Sequence, residues 1–342
     1  MSEAAEPTVS KKSLRDNPLV WPLAGLALVI AFNLVTGPEF FSVSVRDGHL
    51  YGNLVDIFSQ GARVMLLALG MTLVIATGGV DLSVGAVMAI GGALCATLVT
   101  NMGYGLYAAL PITLLVVGAL GFFNGAMVVV GKIQPIIATL ILMVAGRGVA
   151  LLITDSDVVK IQNEAFLYLG KGYILGVPFS LWLVAAVFVV MAILIRKTAL
   201  GLLIEAVGDN EHASRFSGIE AGRLKLIVYA VCGVLAGMAG VLDAASVSAA
   251  DPMRVGELKE LDAIFAVVIG GTALTGGRFL LFGSILGAIL LQALTLTLYN
   301  AGVPAAVAPV PKAIVIVGVC LLQSDRFRKQ ISNIIKIGGK AS

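Results

Sequence analysis

Ionisable side chains are rare within the long apolar runs of this 342-residue chain, and Asp81, Arg147 and Asp262 stand out there. A charged group at the centre of a membrane span costs about 2.5–3.5 kcal/mol, so each needs a partner or water. Asp81 is expected to line a solute path or to cap the next helix with the help of Ser83, and these two roles are compatible. Arg147 is expected to form an ion pair with Asp81 or Asp262 or to extend to an interface, with the ion pair favoured. Asp262 begins an apolar run and can cap its helix.

Neutral groups complete the candidate solute path. Asn124 and Gln134 suit the hydroxyl groups of a sugar, and hydrogen bonds between helices explain them equally well. Gly270 and Gly271 are expected mainly to permit tight turns or close helix contacts, with a role in the path second. Together, the path candidates are Asp81, Ser83, Asn124, Gln134, Thr139, Arg147, Asp262, Gly270 and Gly271.

The sequence offers no combination of residues suited to catalysis or metal binding. His49 and His212 are isolated, no HExxH segment occurs, and the three cysteines lie singly within apolar runs. No segment of the form GxxxxGK followed by Ser or Thr occurs either, so the sequence lacks a phosphate-binding loop for ATP. We expect a protein that is not an enzyme and that binds no metal or cofactor itself.

Composition indicates that lipid is the solvent for most of the chain. It is 58% apolar and 13% charged, against about 45–50% and about 25% for soluble domains, and its mean hydropathy is +1.00. Its 40 glycines lie among aliphatic residues, which is typical of closely packed membrane helices. The net charge of +3 gives no indication of nucleic-acid binding. The predicted fold class is therefore all-α, a polytopic transmembrane helical protein.

Ten apolar runs approach the length of about 20 residues that a helix needs to cross a bilayer. They are residues 18–35, 61–77, 82–99, 106–130, 135–153, 178–195, 224–245, 261–274, 280–298 and 305–323. Glycines around 77–83 and 270–277 predict broken or re-entrant helices. The surrounding stretches 74–94 and 268–290 also resemble each other, as paired repeats of transporters do.

Basic residues predict the orientation of these spans. Lys and Arg are concentrated in segments 1–17, 196–225 and 324–342, and such clusters favour the cytoplasm. Six of the ten spans lie between segments 1–17 and 196–225, and four lie between 196–225 and 324–342. Both numbers are even, so all three segments fall on the same side of the membrane. We therefore predict a cytoplasmic N-terminal segment (1–17), a membrane domain (18–323) with a cytoplasmic loop (196–225), and a cytoplasmic C-terminal tail (324–342).

The cytoplasmic loop contains the pattern of a short helix. Asp209 or Asn210 can cap its beginning, and Gly218 can end it in the left-handed conformation. One side of the helix would carry three apolar side chains, Ala213, Phe216 and Ile219. A helix of about two turns is not stable alone, so it should be ordered only when docked. From these residues alone, a capped connector on the membrane surface is the favoured interpretation.

Four ordered motifs give the chain a family resemblance. Residues 205–219 resemble the cytoplasmic coupling loop of sugar-type ABC importer permeases, the ribose, xylose and galactofuranose group. Residues 77–85 match the TGGIDLSVG segment of that family, 132–140 its KIxPFIATL stretch, and 260–271 its ELDAIAAVVIGG run. The similarity extends over residues 61–323. Within the group, the galactofuranose-type subunit looks closest, on the tracts 140–150 and 196–201.

The resemblance implies a function and partners. The chain would be the permease subunit of a binding-protein-dependent ABC importer in the bacterial inner membrane, forming the path for a galactofuranose- or ribose-like monosaccharide. A separate cytoplasmic ATPase would use ATP and Mg, a periplasmic protein would deliver the sugar, and a second permease subunit would complete the assembly, with a heterodimer favoured over a homodimer. The residues carried over to the ATPase contact are Glu205, Ala206, Gly208, Asp209, Asn210, Ala213, Arg215, Gly218 and Ile219.

Two other functions are compatible with the sequence. An ABC permease for branched-chain amino acids or nucleosides would share the same architecture, and the transported solute separates it from a sugar permease. An ion-coupled secondary transporter would work without an ATPase, so uptake by this chain alone in vesicles would identify it. The capped loop favours the ABC interpretations.

Overall fold

The computed structural model describes residues 19–46 and 48–323, and most of them are helical. The helices are α1 (Val20–Thr36), α2 (Asn53–Ala76), α3 (Val84–Thr100), α4 (Leu106–Val129), α5 (Pro135–Ile153), α6 (Glu164–Lys171), α7 (Phe179–Lys197), α8 (Leu200–Asp209), α9 (Glu211–Phe216), α10 (Ala221–Val247), α11 (Lys259–Ile269), α12 (Leu281–Asn300) and α13 (Pro309–Gln323). A 3-10 turn at Pro38–Phe41 follows α1.

Short strands form three antiparallel pairs within the described residues. They are β1 (Ser44–Arg46) with β2 (His49–Tyr51), β3 (Val159–Lys160) with β6 (Ala249–Ala250), and β4 (Tyr173–Ile174) with β5 (Val177–Pro178). All of them lie in the connections between helices. The predicted helical class is therefore confirmed, with these small pairs as additions.

The predicted apolar runs all coincide with helices, but the helices differ in length. Six helices of the described part are long and apolar enough to cross a membrane: α2, α4, α5, α7, α10 and α12. Helices α1, α3 and α13 are apolar and shorter. Helix α11 has 11 residues, which corresponds to about 16 Å, or about half of the hydrocarbon core. The polytopic membrane fold is confirmed, while the count of ten spans stays a prediction.

Both predicted breaks are present in the structure. Helix α2 ends at Ala76 and α3 begins only at Val84, and α11 ends at Ile269, well before α12 begins at Leu281. Left-handed glycines occur in both connections, including Gly78 with φ 78°. The predicted cytoplasmic segments 1–17 and 324–342 lie outside the described residues, so their placement stays a prediction.

Helices α2, α3 and α10 form the core of the bundle, and α2 and α3 are buried along most of their length. Glycines permit their close approach. A Cβ on Gly91 of α3 would lie 2.7 Å from the Cα of Gly237 on α10, and one on Gly92 would lie 2.9 Å from the carbonyl oxygen of Gly240. Small residues at such crossings allow backbone-to-backbone packing, which associates helices in lipid. The glycine content predicted from composition thus has a direct packing role.

The short helices α3 and α11 begin side by side and run apart. A Cβ on Gly85, in the first turn of α3, would lie 2.3 Å from Oε2 of Glu260, in the first turn of α11. At the other end of α3, Thr97 donates a hydrogen bond to the carbonyl of Ile153 at the end of α5, 3.4 Å away. The end of α11 packs at Gly270 against Gly283 in the first turn of α12. The N-terminal ends of the shorter helix α3 and of the half-length helix α11 therefore meet inside the bundle.

Candidate functional site

A buried polar cluster surrounds the beginning of α3. Oδ1 of Asp81 accepts hydrogen bonds from the backbone N–H of Ser83 at 2.9 Å and from its hydroxyl at 2.6 Å. The side-chain amide of Asn124 on α4 donates to Ser83 Oγ at 2.7 Å and to Asp81 Oδ1 at 3.4 Å. All three side chains are buried. The structure thus brings together three of the predicted path residues.

The capping role expected for Asp81 needs a correction in its detail. The residue that precedes α3 is Ser83, and its own side chain makes no capping hydrogen bond. Asp81 instead accepts the N–H of the residue two positions ahead, which is the local turn that aspartate side chains favour. The carboxylate therefore shapes the connection that leads into α3.

Thr139 joins the beginning of α5 to the same connection. Its hydroxyl accepts a hydrogen bond from the N–H of Leu82 at 3.1 Å and donates within its own helix to the carbonyl of Pro135 at 2.9 Å. Gln134 precedes α5, where it makes no capping hydrogen bond and is exposed. Of these two predicted path residues, the structure places only Thr139 in the cluster.

Two buried polar atoms of this region have no hydrogen-bond partner among the described residues. They are Oδ1 of Asn124 and the hydroxyl of Tyr229 on α10. The Tyr229 hydroxyl lies over the connection between α2 and α3, because a Cβ on Gly79 would approach it to 2.6 Å. Buried polar groups normally find a partner in protein or water. Both atoms are therefore suited to bind a water molecule or a hydroxyl group of a solute.

The prediction of an ion pair for Arg147 is wrong. Within the described residues, its guanidinium makes no ion pair with Asp81 or Asp262; Nη1 donates to the backbone carbonyl of Val255 at 2.5 Å and to that of Pro252 at 3.5 Å. These carbonyls belong to the irregular segment between β6 and α11, where no helix satisfies them. Arg147 thus fixes this segment to α5.

Asp262 has basic partners of its own. Its carboxylate pairs with Lys259 at 3.3 Å and with Lys312 of α13 at 2.7 Å. Asp262 and Glu260 both lie in the first turn of α11, where the helix dipole stabilises negative charge. The prediction that Asp262 caps this helix is wrong, because Leu258 occupies the cap position, no side chain makes a capping hydrogen bond there, and Asp262 already lies within the helix. Lys259 and Lys312 therefore neutralise the carboxylate that the sequence had paired with Arg147.

Gly270 and Gly271 serve the fold at the break between α11 and α12. A Cβ on Gly270 would lie 2.4 Å from the carbonyl carbon of Gly283, and Gly271 has φ 91°. Close contact and a left-handed turn both require glycine here. The structural roles expected for the two residues are confirmed, and their secondary role in the path stays a prediction.

The loop predicted to be cytoplasmic contains two short helices, α8 and α9, and α9 has the predicted caps. Asn210 is the cap of α9, because its Oδ1 accepts the N–H of Ala213 at 2.9 Å; Asp209 is the last residue of α8. Gly218 follows α9 with φ 84° and donates to the carbonyl of Arg215 at 3.0 Å. The predicted helix is therefore confirmed, with Asn210 rather than Asp209 at its beginning.

One side of α9 is held by the rest of the chain. Glu211 forms ion pairs with Arg215 and with Lys225 of α10, both at 2.6 Å. The Ser214 hydroxyl donates to the carbonyl of Ala206 in α8 at 2.9 Å. These contacts give the short helix the docking partner that its length requires.

The predicted apolar side of α9 mostly faces outward. Phe216 is 93% exposed, Ala213 is exposed, and Ile219 is half-buried. The exposed members of the predicted contact set are Asp209, Asn210, Ala213, Arg215 and Gly218, while Glu205, Ala206, Gly208 and Ile219 are half-buried. Because α9 already has its internal contacts, this outer side is free to meet another protein. Its role in such a contact stays a prediction.

Four further residues that were not among the predicted site residues have clear structural roles. Tyr229 and Glu260 adjoin the beginnings of α3 and α11, as described above. Arg63 of α2 pairs with Asp243 of α10; the only sequence signal for this pair is a charged residue of each sign within an apolar run. Within residues 19–46 and 48–323, no group of three or more His, Cys, Asp or Glu side chains could hold a metal ion.

The many apolar helices define a multi-pass membrane protein. The polar cluster at the beginning of α3 and the outward-facing capped helix α9 are features of a permease. Residues 53–322 match the family described as branched-chain amino acid transport system / permease component, and the chain belongs to that family. It is therefore a non-catalytic permease component of an ABC importer and a multi-pass protein of the inner membrane.

Curated relatives are similar over almost their whole length. The galactofuranose transporter permease protein YtfT of Escherichia coli K12 is 43% identical over 323 residues, which cover 92% of this chain and 93% of that protein. The fructose import permease protein FruF of Bifidobacterium longum is 38% identical, with 94% and 92% covered. The ribose import permease protein RbsC of Escherichia coli K12 is 37% identical, with 89% and 93% covered. The family resemblance seen in the motifs is confirmed. No solved structure matches the chain.

Proposed function

We propose that this permease carries a monosaccharide of the galactofuranose or ribose type and that a separate cytoplasmic ATPase drives it. The sugar class is supported by the relatives, which are named for galactofuranose, fructose and ribose. The dependence on an ATPase is carried by one observation: α9 is fixed to the bundle on one side and presents Phe216, 93% exposed, on the other. A periplasmic binding protein would deliver the sugar.

The outer side of α9 suits a docking role in its chemistry as well as its exposure. An aromatic side chain that is fully exposed in the free chain gains from burial at an interface, where aromatic residues are enriched. The same loop also exposes Asp209 and Arg215, which can form the polar rim of such a contact. The ATPase would thus grip α9 and pull on the attached α8 and α10.

The solute path is proposed to pass the level where α3 and α11 begin. Asp81, Ser83, Asn124 and Thr139 provide hydrogen-bonding groups at the beginning of α3, and Glu260 provides a carboxylate at the beginning of α11. Transporters commonly place their solute near interrupted helices of this kind. The unpartnered Asn124 oxygen would accept a hydrogen bond from a sugar hydroxyl.

A second permease subunit is proposed to complete the path. The segment between β6 and α11 carries the exposed charged residues Arg254 and Glu257, which lipid would not solvate. A partner subunit or water next to this segment would satisfy them. We favour a different permease chain as the partner, forming a heterodimer.

Reconstitution in proteoliposomes tests this proposal. The permease, its ATPase, the second permease chain and the binding protein are combined, and uptake of labelled galactose (including its furanose form), ribose and leucine is followed with and without ATP inside. The proposal predicts ATP-dependent uptake of a sugar. Uptake of leucine alone would instead support the second candidate, a branched-chain amino acid permease, which the family description favours. Uptake by this chain alone on an ion gradient would contradict both.

A further inference from the structure

Gly208, in the last turn of α8, makes an unusually close contact with the end of α2. A Cβ on Gly208 would lie 1.8 Å from the carbonyl oxygen of Ala76 and 2.4 Å from the backbone nitrogen of Gly277. That carbonyl also accepts a hydrogen bond from the N–H of Gly277 at 3.0 Å. Gly208 therefore rests directly on a backbone hydrogen bond that joins the two broken regions of the chain.

A second glycine contact closes the same junction. Gly276 has φ 89°, and a Cβ on it would lie 2.9 Å from the carbonyl oxygen of Gly208 and 3.0 Å from the nitrogen of Gly78. Three segments thus meet backbone to backbone, with no side chain between them. We call these residues the glycine junction: Ala76, Gly78, Gly208, Gly276 and Gly277.

Each segment of the glycine junction leads to an element of the proposed mechanism. Gly208 lies in the last turn of α8, which is followed by α9, whose outer side is proposed to meet the ATPase. Gly78 lies in the connection that leads into α3, and Gly276 lies in the connection that follows the half-length helix α11. Both helices begin beside the contact of Gly85 with Glu260. At this junction, the loop 196–225 therefore touches both broken connections.

We propose that the glycine junction is the relay that passes movement of α9 to α3 and α11 together, with its three segments moving as one body. Direct backbone contact suits this role because a flexible side chain between the segments would absorb small displacements, whereas closely packed contacts transmit them. The inference rests on the proposed function, since it needs an ATPase that moves α9. Gly208 is in this sense a positioning residue for transport.

Gly208→Ala tests the relay in the reconstituted complex. The added methyl would push α8 away from Ala76, so ATP-dependent uptake should fall by about ten-fold or more, within the usual range of coupling between sites. The ATPase should still co-purify and hydrolyse ATP, because the outer side of α9 is unchanged. The matched control is Gly148→Ala in α5, where no described atom lies within 4 Å of the added Cβ. Uptake close to wild type in Gly208→Ala, or loss of ATPase binding, would overturn the relay.

A cross-link tests whether the junction moves as one body, and it does not depend on how well Gly208→Ala folds. A Cβ on Gly277 would lie 3.8 Å from the Cβ of Asp209, which is the usual Cβ separation in a disulfide. Gly277 has φ 87°, so the reference is the same variant after reduction, which contains the same strain. In the variant with Asp209→Cys and Gly277→Cys, the oxidised protein should transport as fast as the same protein after reduction. Uptake that is blocked by oxidation and restored by reduction would show sliding within the junction and contradict the relay.

These results are separate from a failure of the proposed function. If the wild-type complex shows no ATP-dependent sugar uptake, the function is wrong whatever the variants do. If wild type transports and Gly208→Ala transports equally well, the function stands and the relay is wrong.

Discussion

The Nζ atom of Lys225, at the beginning of α10, lies 2.6 Å from Oε2 of Glu211, the first residue of α9. The other oxygen of the same carboxylate pairs with Arg215, also at 2.6 Å. The hydrogen bond from Lys225 is the largest cause that holds the pKa of Glu211 below its ordinary value of 4.5. One carboxylate therefore fastens α9 to α10.

Glu211→Gln should loosen α9 and reduce the dependence of stability on pH. Because the folded pKa is lowered, the carboxylate stabilises the fold fully above pH 4.5, and this contribution is lost as the pH falls through the folded value. The thermal unfolding temperature of the purified wild-type permease should therefore fall toward acid pH. It should fall less in Glu211→Gln. An equal decline in both proteins would contradict this role.

Lys225→Met should loosen α9 at neutral pH as Glu211→Gln does, because it removes the strongest partner of the Glu211 carboxylate. A matched control is Arg223→Ala, whose ion pair with Glu220 joins side chains that are 80% and 60% exposed. Exposed pairs contribute only about 0–1 kcal/mol, so Arg223→Ala should change ATPase binding little. ATPase binding is measured by co-purification. Glu211→Gln and Lys225→Met should weaken it, whereas Arg223→Ala should leave it nearly unchanged.

Gly218→Val should uncouple ATP hydrolysis from uptake while leaving membrane insertion intact. Gly218 has φ 84°, and a β-branched residue resists this conformation, so the end of α9 would be displaced. Gly218→Asn is the control, since asparagine tolerates the left-handed region. Uptake and hydrolysis are measured in the same proteoliposomes. Normal coupling in Gly218→Val would contradict the proposal that α9 transmits movement of the ATPase to α8 and α10.

Asp81→Ala should lower uptake without abolishing ATPase docking. The change removes the acceptor for Ser83 and Asn124 in a buried site, which costs about 1–3 kcal/mol for the donors left unsatisfied. Asp81→Asn keeps an acceptor oxygen and should retain more uptake and stability. If Asp81→Ala lost ATPase docking as well, the carboxylate would serve assembly rather than the path.

Arg147→Met should release the segment between β6 and α11 from α5. Hydrogen bonds that involve a charged group contribute about 1.5–3 kcal/mol, and Arg147 donates to Val255 and Pro252. Limited proteolysis should then cleave this segment faster than in wild type, and Arg147→Lys, which keeps the cation, should fall between them. Equal cleavage of all three proteins would contradict the assignment.

Local patterns predicted most of the helices and the caps of α9. Apolar runs mark the membrane helices because lipid leaves few other structures for an apolar segment of this length. Asn210 and Gly218 were recognisable because a cap depends on residues only a few positions away. Glycines at 77–83 and 270–277 predicted the breaks for the same reason.

Contacts between distant segments were not accessible in this way. Arg147 binds backbone carbonyls, which every residue carries, so no side-chain pattern marks its partner. The meeting of Gly85 with Glu260 and the contact of Gly208 with Ala76 depend on how the helices pack. Hydropathy shows that a helix is short, but it does not show which helix begins beside it.

The most direct test of the ATPase-driven account is the affinity of the ATPase for the Phe216→Ala variant. Loss of an aromatic side chain that is buried at the interface should raise the dissociation constant about ten-fold or more, which corresponds to about 1.4 kcal/mol. The control is Tyr107→Ala at the beginning of α4, where the side chain is equally exposed at 94%, and its dissociation constant should equal that of wild type. An unchanged dissociation constant for Phe216→Ala would contradict the account.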